Sequence, residues 1–325
     1  MYVTRSIFFW LKAIIVLVGL MLTTGACASQ GPTQATDQLQ GTITISGAFA
    51  IYPMMQRWDQ EFQKVHPKVA FDLSSGGAGK GMTDTLAGAV DIGMISRNIT
   101  EVEISKGAYG MAVTEGAVFP EVNGQNPVLQ ELMAKGINRD TMVGIFITGS
   151  IKTWGQVVGQ PDVTSEIHVY TRSDSSGAAE SWANYLGKSQ ASLLGIGVSG
   201  DPAILDAVVK DPLGIGYNNI GYAFDITTGK PATGIVIVPL DLNGNGKADS
   251  SEIIETSTDA VSAIAIGEYP APPTQILYLV TKGKPSGLVQ TFIEWILTDG
   301  QKFVSETGFV PLTQAQLEVS LQKVR

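Results

Sequence analysis

GTITISGAFAIYPMMQRWDQEFQKVHPKVAFDLSSGGAGKGM, residues 41–82, changes its period several times. GTITISGA alternates with β-branched residues and predicts a strand. YPMMQRWDQEFQKVH places apolar residues at helical spacing behind an early Pro53 and predicts a helix. KVAFDLSS reads as a second strand and ends in a glycine loop. GMTDTLAGA then returns to a helical pattern, and VDIGMIS to a strand. Repeated strand–helix–strand units mean an α/β fold with mostly parallel strands.

The alternation recurs downstream in TMVGIFITG, IHVYTR, ESWANYLG, GIGYNNIGYA and GIVIVPL. TQILYLVTKG is one more strand, and GLVQTFIEWILTDGQKFVSETG a pair of amphipathic helices. The chain has 325 residues, 44% hydrophobic and 16% charged, enough for a sizeable core and two domains. Its formal charge is -9 and its pI about 4.8. No basic run or basic–aromatic stripe occurs, which argues against a nucleic-acid partner. An anionic ligand would have to be held by local donors against the net charge.

The first residues are a targeting segment. MYVTRSIFFWLK carries Arg5 and Lys12 and no acid, and the short apolar core AIIVLVGLML follows. Residues 1–26 are expected to be a signal peptide, too short in its apolar core for a membrane span. Cys27 is the single cysteine, so no internal disulfide can form. Behind Gly25 and Ala26 it resembles a bacterial lipoprotein acceptor, and lipidation at Cys27 is expected; the alternative is a plain secretory signal cleaved nearby. Residues 27–40, small and polar, read as a flexible tether.

Three polar loops each link a strand to a helix: SGAFAIYP (46–53), SSGGAGKGM (74–82) and TRSDSSGAAESW (171–182). A strand that ends in Ser and Gly and opens a helix presents free backbone N–H groups at a positive dipole end. Gly also lets the backbone approach a ligand closely. Three such loops converging would suit one oxyanion, and Arg97 and Arg172 add planar cationic forks. Taken singly, each loop is as easily explained by N-capping, and each arginine by a surface ion pair.

Enzyme motifs are absent. GGAGKG is not a P-loop, because Gly81 rather than Ser or Thr follows Lys80. No GxSxG surrounds Ser175 or Ser176. His66 and His168, the two histidines, have no cysteine partner at zinc spacing. The chemistry present is that of holding an anion, so no catalytic residue and no catalytic cofactor is expected.

SGAFAIYPMMQRW, DLSSGGAGKGM, AVDIGMISR, ITGSIKTWGQV, TRSDSSGAAESW, GIGYNNIGYA and FIEWILTDGQKFVSETGFVPL, in this order, resemble the phosphate-binding component of bacterial ABC importers, within the class II periplasmic-binding-protein-like superfamily. The resemblance covers residues 41 to 315. It implies two α/β lobes joined by two crossing strands and closing on a dehydrated oxyanion. Lobe one would comprise residues 41–112 and 262–325, lobe two residues 113–261, with crossings near GMAVTEGAVF and DAVSAIAIGEYP. It implies anion-binding roles for Ser74 with Ser75, for Arg172 with Asp174 beside it, and for Ser176 and Gly177. Ser96 falls where other members carry an aspartate that accepts the ligand's proton, and Arg97 follows it. Phe49 and Ala50 would contribute backbone donors only, in a loop where the family offers hydroxyls, and Ala178 replaces a usual Thr. The missing acceptor weakens discrimination between phosphate and sulfate. Phosphate is the first choice of ligand, another tetrahedral oxyanion the second. The partner implied is a membrane ABC permease, the place extracytoplasmic, and the protein a monomer. Phe49, Tyr52 and Trp154 are candidates to line the cleft, Trp154 more simply a core residue.

DLNGNGKADSSE, residues 241–252, adds a separate expectation. Asp241, Asn243, Asn245, Asp249 and Glu252 carry side-chain oxygens at calcium-loop offsets, Lys247 would give its carbonyl, and Gly246 takes the turn position. The strand-like run before it argues against an EF-hand, so a structural Ca²⁺ bracing lobe two is expected. The alternatives are a metal-free Asn/Gly turn or, for the whole protein, a secreted calcium-binding sensor or adhesion module.

Overall fold

The computed structural model describes residues 39–325. The segment expected to be a signal peptide, Cys27 and all but the last residues of the expected tether lie outside the described residues. The first strand, β1 (Gln40–Gly47), buries Ile43 and Ile45 and pairs in parallel with β2 (Lys68–Ser75) on one side and β3 (Ile92–Ile95) on the other. Two helices make the crossovers, α1 (Tyr52–Val65) and α2 (Ala78–Ala87). The glycine loop is shorter than its sequence suggests, since α2 already includes Ala78, Gly79 and Lys80.

The sheet then passes through a strand shared by two halves. β4 (Ala108–Asn123) pairs antiparallel with β11 (Thr274–Lys282) as far as Ala117. From Val118 onward it pairs instead with β8 (Gly214–Asn219) and β9 (Ile235–Ile237). β6 (His168–Arg172) and β7 (Ile196–Val198) extend the second half in parallel with β8. The strand order β2-β1-β3-β11-β4-β8-β6-β7 places both ends of the described chain in one half and its middle in the other. This is the expected α/β architecture, with the partner change at Ala117–Val118, slightly past the boundary read from sequence. β5 (Ile137–Asn138) and β10 (Leu240–Asp241) form a separate two-stranded parallel pair.

Two expectations are corrected. DAVSAIAIGEYP is not a crossing strand: α5 (Ser257–Ala265) occupies it, after the helices α3 (Gly177–Tyr185) and α4 (Asp201–Lys210) of the second half. Thr256 and Asp259 form a reciprocal capping box, and Ala260, Ala263 and Ile264 bury one face, which overrides the β-branched composition. The return instead runs through Pro270–Pro273 into β11, and Tyr269 Oη donates to the Val118 carbonyl at 2.7 Å, where β4 changes partners. TMVGIFITG is helical rather than extended, an α-turn at Arg139–Val143 followed by a wider helical turn through Gly144–Thr148.

Aromatic clusters fill each half: Phe62, Phe71, Phe292 and Trp295 in the first, Phe146, Trp182 and Tyr217 in the second. Trp154 is a core residue, fully buried with Nε1 donating to Leu213. No described helix is long and apolar enough to cross a membrane.

Candidate anion-binding site

The two halves meet over a small, tightly constricted cleft. Ala48, Phe49 and Ala50 reach it from the turn that opens α1, and Gly77 and Ala78 from the start of α2. Ser176 and Gly177 reach it from the start of α3. Ser96 follows β3, Arg172 ends β6, Asn219 ends β8 and Asp201 begins α4. Each sits at a strand end or in a first helical turn, where an open α/β sheet places its ligands. The first turn of a helix leaves N–H groups without intrahelical partners, so three helix starts aim donors and positive dipole ends at one small volume.

Arg172 is almost wholly buried, its side chain 2% exposed. Its Nε and Nη2 donate to Asp174 Oδ1 and Oδ2 at 2.8 and 2.6 Å, and Nη1 donates to Asp201 Oδ2 at 2.5 Å. Burial alone would weaken its charge, but Asp201 and Asp174 outweigh burial and hold the guanidinium above its ordinary pKa. Burial pushes the Asp174 carboxyl up, and the hydrogen bonds and charge of Arg172, together with backbone N–H bonds including that of Gly200, more than reverse it. The cation is therefore matched by two carboxylates before any ligand arrives. An oxyanion here is held chiefly by neutral donors: backbone N–H groups, the Ser96 and Ser176 hydroxyls and the Asn219 amide. Ser176 Oγ also caps α3 by accepting from Ala179 N at 3.3 Å.

The glycines serve the approach of one half to the other. A Cβ on Gly177 would lie 2.0 Å from the Ser96 carbonyl oxygen. One on Gly77 would lie 2.8 Å from Asp174 Oδ2, and one on Gly79 2.8 Å from Ser175 Cβ. In every pair the partners belong to opposite halves, so the site is in its closed arrangement.

Of the residues singled out in the sequence, Phe49, Ala50, Ser96, Arg172, Ser176 and Gly177 line the cleft, with Asp174 directly behind Arg172. Ser74 does not line it. Its side chain is exposed, and Oγ makes only a long 3.4 Å bond to the Ile45 carbonyl. Ser75 pairs with Gly47 in the β1–β2 register and also stands outside. The reason is helical: α2 begins beyond the serines, so Ala78 presents its N–H there, while the Gly77 N–H donates to the Gly47 carbonyl at 3.0 Å and Gly77 serves the close approach. Arg97 turns away to Glu103, with Nη2–Oε1 at 2.7 Å and Nη1–Oε2 at 3.0 Å. Its hydrogen bond pushes the Glu103 carboxyl down to about 2. Arg97 lines a wider neighbouring groove with Glu115, Glu180 and Gln275.

Ala48, Gly77 and Ala78 belong to two of the loops read from the sequence without being assigned to the site individually, and the sequence reading missed Asp201 and Asn219, outside all three loops. Gly200-Asp201-Pro202 is a helix-start signature, which locates Asp201 at a helix end but gives no hint that Arg172 lies across from it.

The remaining loop, 241–252, follows strand β10 and has no helix until Ser257. Asp241 and Glu252 are 4% and 7% exposed. Asp241 accepts from Asn245 N and Gly246 N, and Glu252 from Leu242 N and Asp249 N. Among the described residues, no three His, Cys, Asp or Glu side chains are grouped as a metal centre; the loop's donor set depends on Asn243, Asn245 and a carbonyl as well.

The chain belongs to the PBP superfamily domain family, whose model matches residues 32–300. It is similar to the phosphate-binding protein PstS of Bacillus subtilis, 24% identical over 317 residues that cover 94% of this chain and 95% of the relative. PstS of Methanocaldococcus jannaschii is also 24% identical, over 96% of this chain and 95% of the relative. Among solved structures, a Clostridium perfringens protein assigned as a phosphate ABC transporter substrate-binding protein and solved with bound phosphate has a TM-score of 0.68 at 20% identity, covering 84% of this chain and 100% of that one. An ABC-type phosphate transport receptor from Vibrio cholerae has a TM-score of 0.58, also at 20% identity, covering 84% and 100%. At this identity the structural likeness establishes the two-lobed fold.

Proposed function

We propose that the chain is an extracytoplasmic solute-binding protein that closes its two halves on phosphate and delivers it to a membrane ABC permease. The convergence of three helix starts with Arg172 on one small cleft carries this reading, and relatives named for phosphate binding over nearly their whole length support it. The halves would act as lobes hinged at Ala117–Val118 and Pro270–Pro273. The function is binding and release, without bond cleavage, by a monomer. Asp201 supplies an acceptor inside the cleft, in place of the aspartate missing at Ser96, and an acceptor favours an oxyanion that carries a proton. Calorimetry against phosphate, arsenate, sulfate, molybdate and tungstate tests the reading: phosphate and arsenate bind and sulfate does not. A preference for molybdate or tungstate would support the second reading, another tetrahedral oxyanion. Phe49 and Ala178 favour that reading by replacing hydroxyls.

Two accessory features belong to the same proposal. Lipidation at Cys27 would hold the protein at the membrane surface; Cys27→Ser then releases it into the medium. Calcium in the 241–252 loop would brace the second lobe. Asp241 and Glu252 favour it, as two buried carboxylates with no cationic side chain paired to them among the described residues, in an all-oxygen donor set.

A further inference from the structure

The ring of Phe49 reaches from the first half of the fold onto the second. The guanidinium carbon of Arg172 lies 5.2 Å from its centroid. Asp174 and Asp201 already occupy the edge of that guanidinium, so the ring covers its face. Beside it Gly200 precedes α4 at φ +88°, and a Cβ there would lie 2.8, 3.0 and 3.1 Å from three ring carbons. Gly200 N donates to Asp174 Oδ1 at 3.1 Å, tying this notch to the acid that holds Arg172. Ring, guanidinium, notch and acid form one joint between the turn before α1 and the strand and helix ends of the other half.

We propose that Phe49 is the closing and size-setting residue of the site: its ring, docked on Arg172 and seated in the Gly200 notch, holds the halves together and reserves the cleft for a bare tetrahedral anion. The size limit rests on the oxyanion reading; the joint does not. A cation–π contact strengthens when desolvated, and here it forms only when the halves meet. Closure therefore draws on a contact within the protein as well as on bonds to the ligand, and the closed population is already raised before binding. A hydroxyl at position 49 would add one bond to the anion and contribute nothing to the joint.

Spin labels at Lys64→Cys and Lys210→Cys, in the full chain with Cys27→Ser, read the separation of the halves. Both side chains are exposed, 66% and 71%, near the far ends of α1 and α4. Phe49→Ala shifts the anion-free distances longer, and so does Gly200→Ala. In the double variant Gly200→Ala adds less to the separation, because the ring it would strike is gone and only the backbone strain at φ +88° is left. Phe49→Leu, which keeps bulk without a π face, lies between and covers the case of poor folding by the alanine variant. By calorimetry Phe49→Ala weakens phosphate about tenfold and narrows its preference over methyl phosphate. Distances and the phosphate-to-methyl-phosphate ratio left at wild-type values by Phe49→Ala would overturn the proposal. So would a Gly200→Ala effect as large without the ring as with it. A wild type that binds no oxyanion refutes the functional reading and the size limit, while the distances still decide the joint.

Discussion

Oδ2 of Asp201 lies 2.5 Å from Nη1 of Arg172, so a carboxylate from the start of one helix shares the cleft with the cation at the end of a strand. Asp201 is 1% exposed, and its second oxygen accepts from the Asn219 amide. An ionised acceptor in the wall of an oxyanion site repels a ligand without a proton and bonds one that has it. Asp201→Asn removes that selection. Phosphate affinity falls about tenfold, and the preference for phosphate over sulfate shrinks. Competition calorimetry with the two anions measures both.

Gly177 is required by geometry rather than by its own backbone conformation. A Cβ at this position meets the Ser96 carbonyl at 2.0 Å and Ser96 Oγ at 2.1 Å, atoms that cannot retreat without parting the halves. Gly177→Ala therefore blocks closure. Phosphate binding weakens about a hundredfold, while far-ultraviolet circular dichroism shows the secondary structure retained.

Glu121 stands in the core behind the cleft, on β4. Oε1 accepts from Asn218 Nδ2 at 3.2 Å, and Oε2 has no partner. Burial, with a smaller contribution from Asp201, pushes its carboxyl up from 4.5 to about 8. The folded chain thus holds a proton that the unfolded chain releases near pH 4.5, and stability falls as pH rises from there through about 8. Asp59, pushed up to about 8 by burial, adds the same trend. Glu103, held down at about 2, acts in the opposite sense and in a separate window, its stabilisation lost as pH falls below about 4.5. Glu121→Gln makes the alkaline decline shallower, leaving the part due to Asp59, and does not move the acid limb, as urea denaturation from about pH 3 to about pH 9 will show, roughly the span set by those values.

Calcium in the 241–252 loop would stabilise the fold by mass action. At a hundredfold excess over Kd that is about 2.7 kcal/mol, a rise of several degrees in Tm. A chelator lowers Tm accordingly, Asp241→Ala abolishes the difference, and phosphate affinity stays nearly unchanged, since the loop leaves the end of β10 and none of its residues lines the cleft. A Tm indifferent to calcium leaves an Asn/Gly turn closed by the N–H groups of Asn245 and Gly246 on the Asp241 carboxylate.

Much of the fold was legible in short patterns. The β-branched alternation of β1 and the helical spacing of α1 are local signals, and local hydrophobic period decides them. Ser257–Ala265 was misread because β-branched residues masked a capping box that only helical geometry makes visible. The site was half legible. Arg172, Ser176 and Gly177 announce themselves as a strand end followed by an N-cap. Asp201 and Asn219 do not, because their meaning depends on three strand ends being adjacent, a fact of sheet order. Ser74 and Arg97 carry the right chemistry in the right loop, but one faces solvent and the other is taken by Glu103 in its own capping turn.

Phosphate titration of the wild type beside Arg172→Ala tests the central claim most directly. Arg172 is the cation of the cleft, and its loss leaves Asp174 and Asp201 buried without a counter-charge, a change worth about 2–5 kcal/mol in binding. One phosphate bound per wild-type chain, and no measurable heat with Arg172→Ala in a chain that still melts cooperatively, is the result predicted. Unchanged phosphate affinity in Arg172→Ala, or no binding of any oxyanion by the wild type, would contradict it.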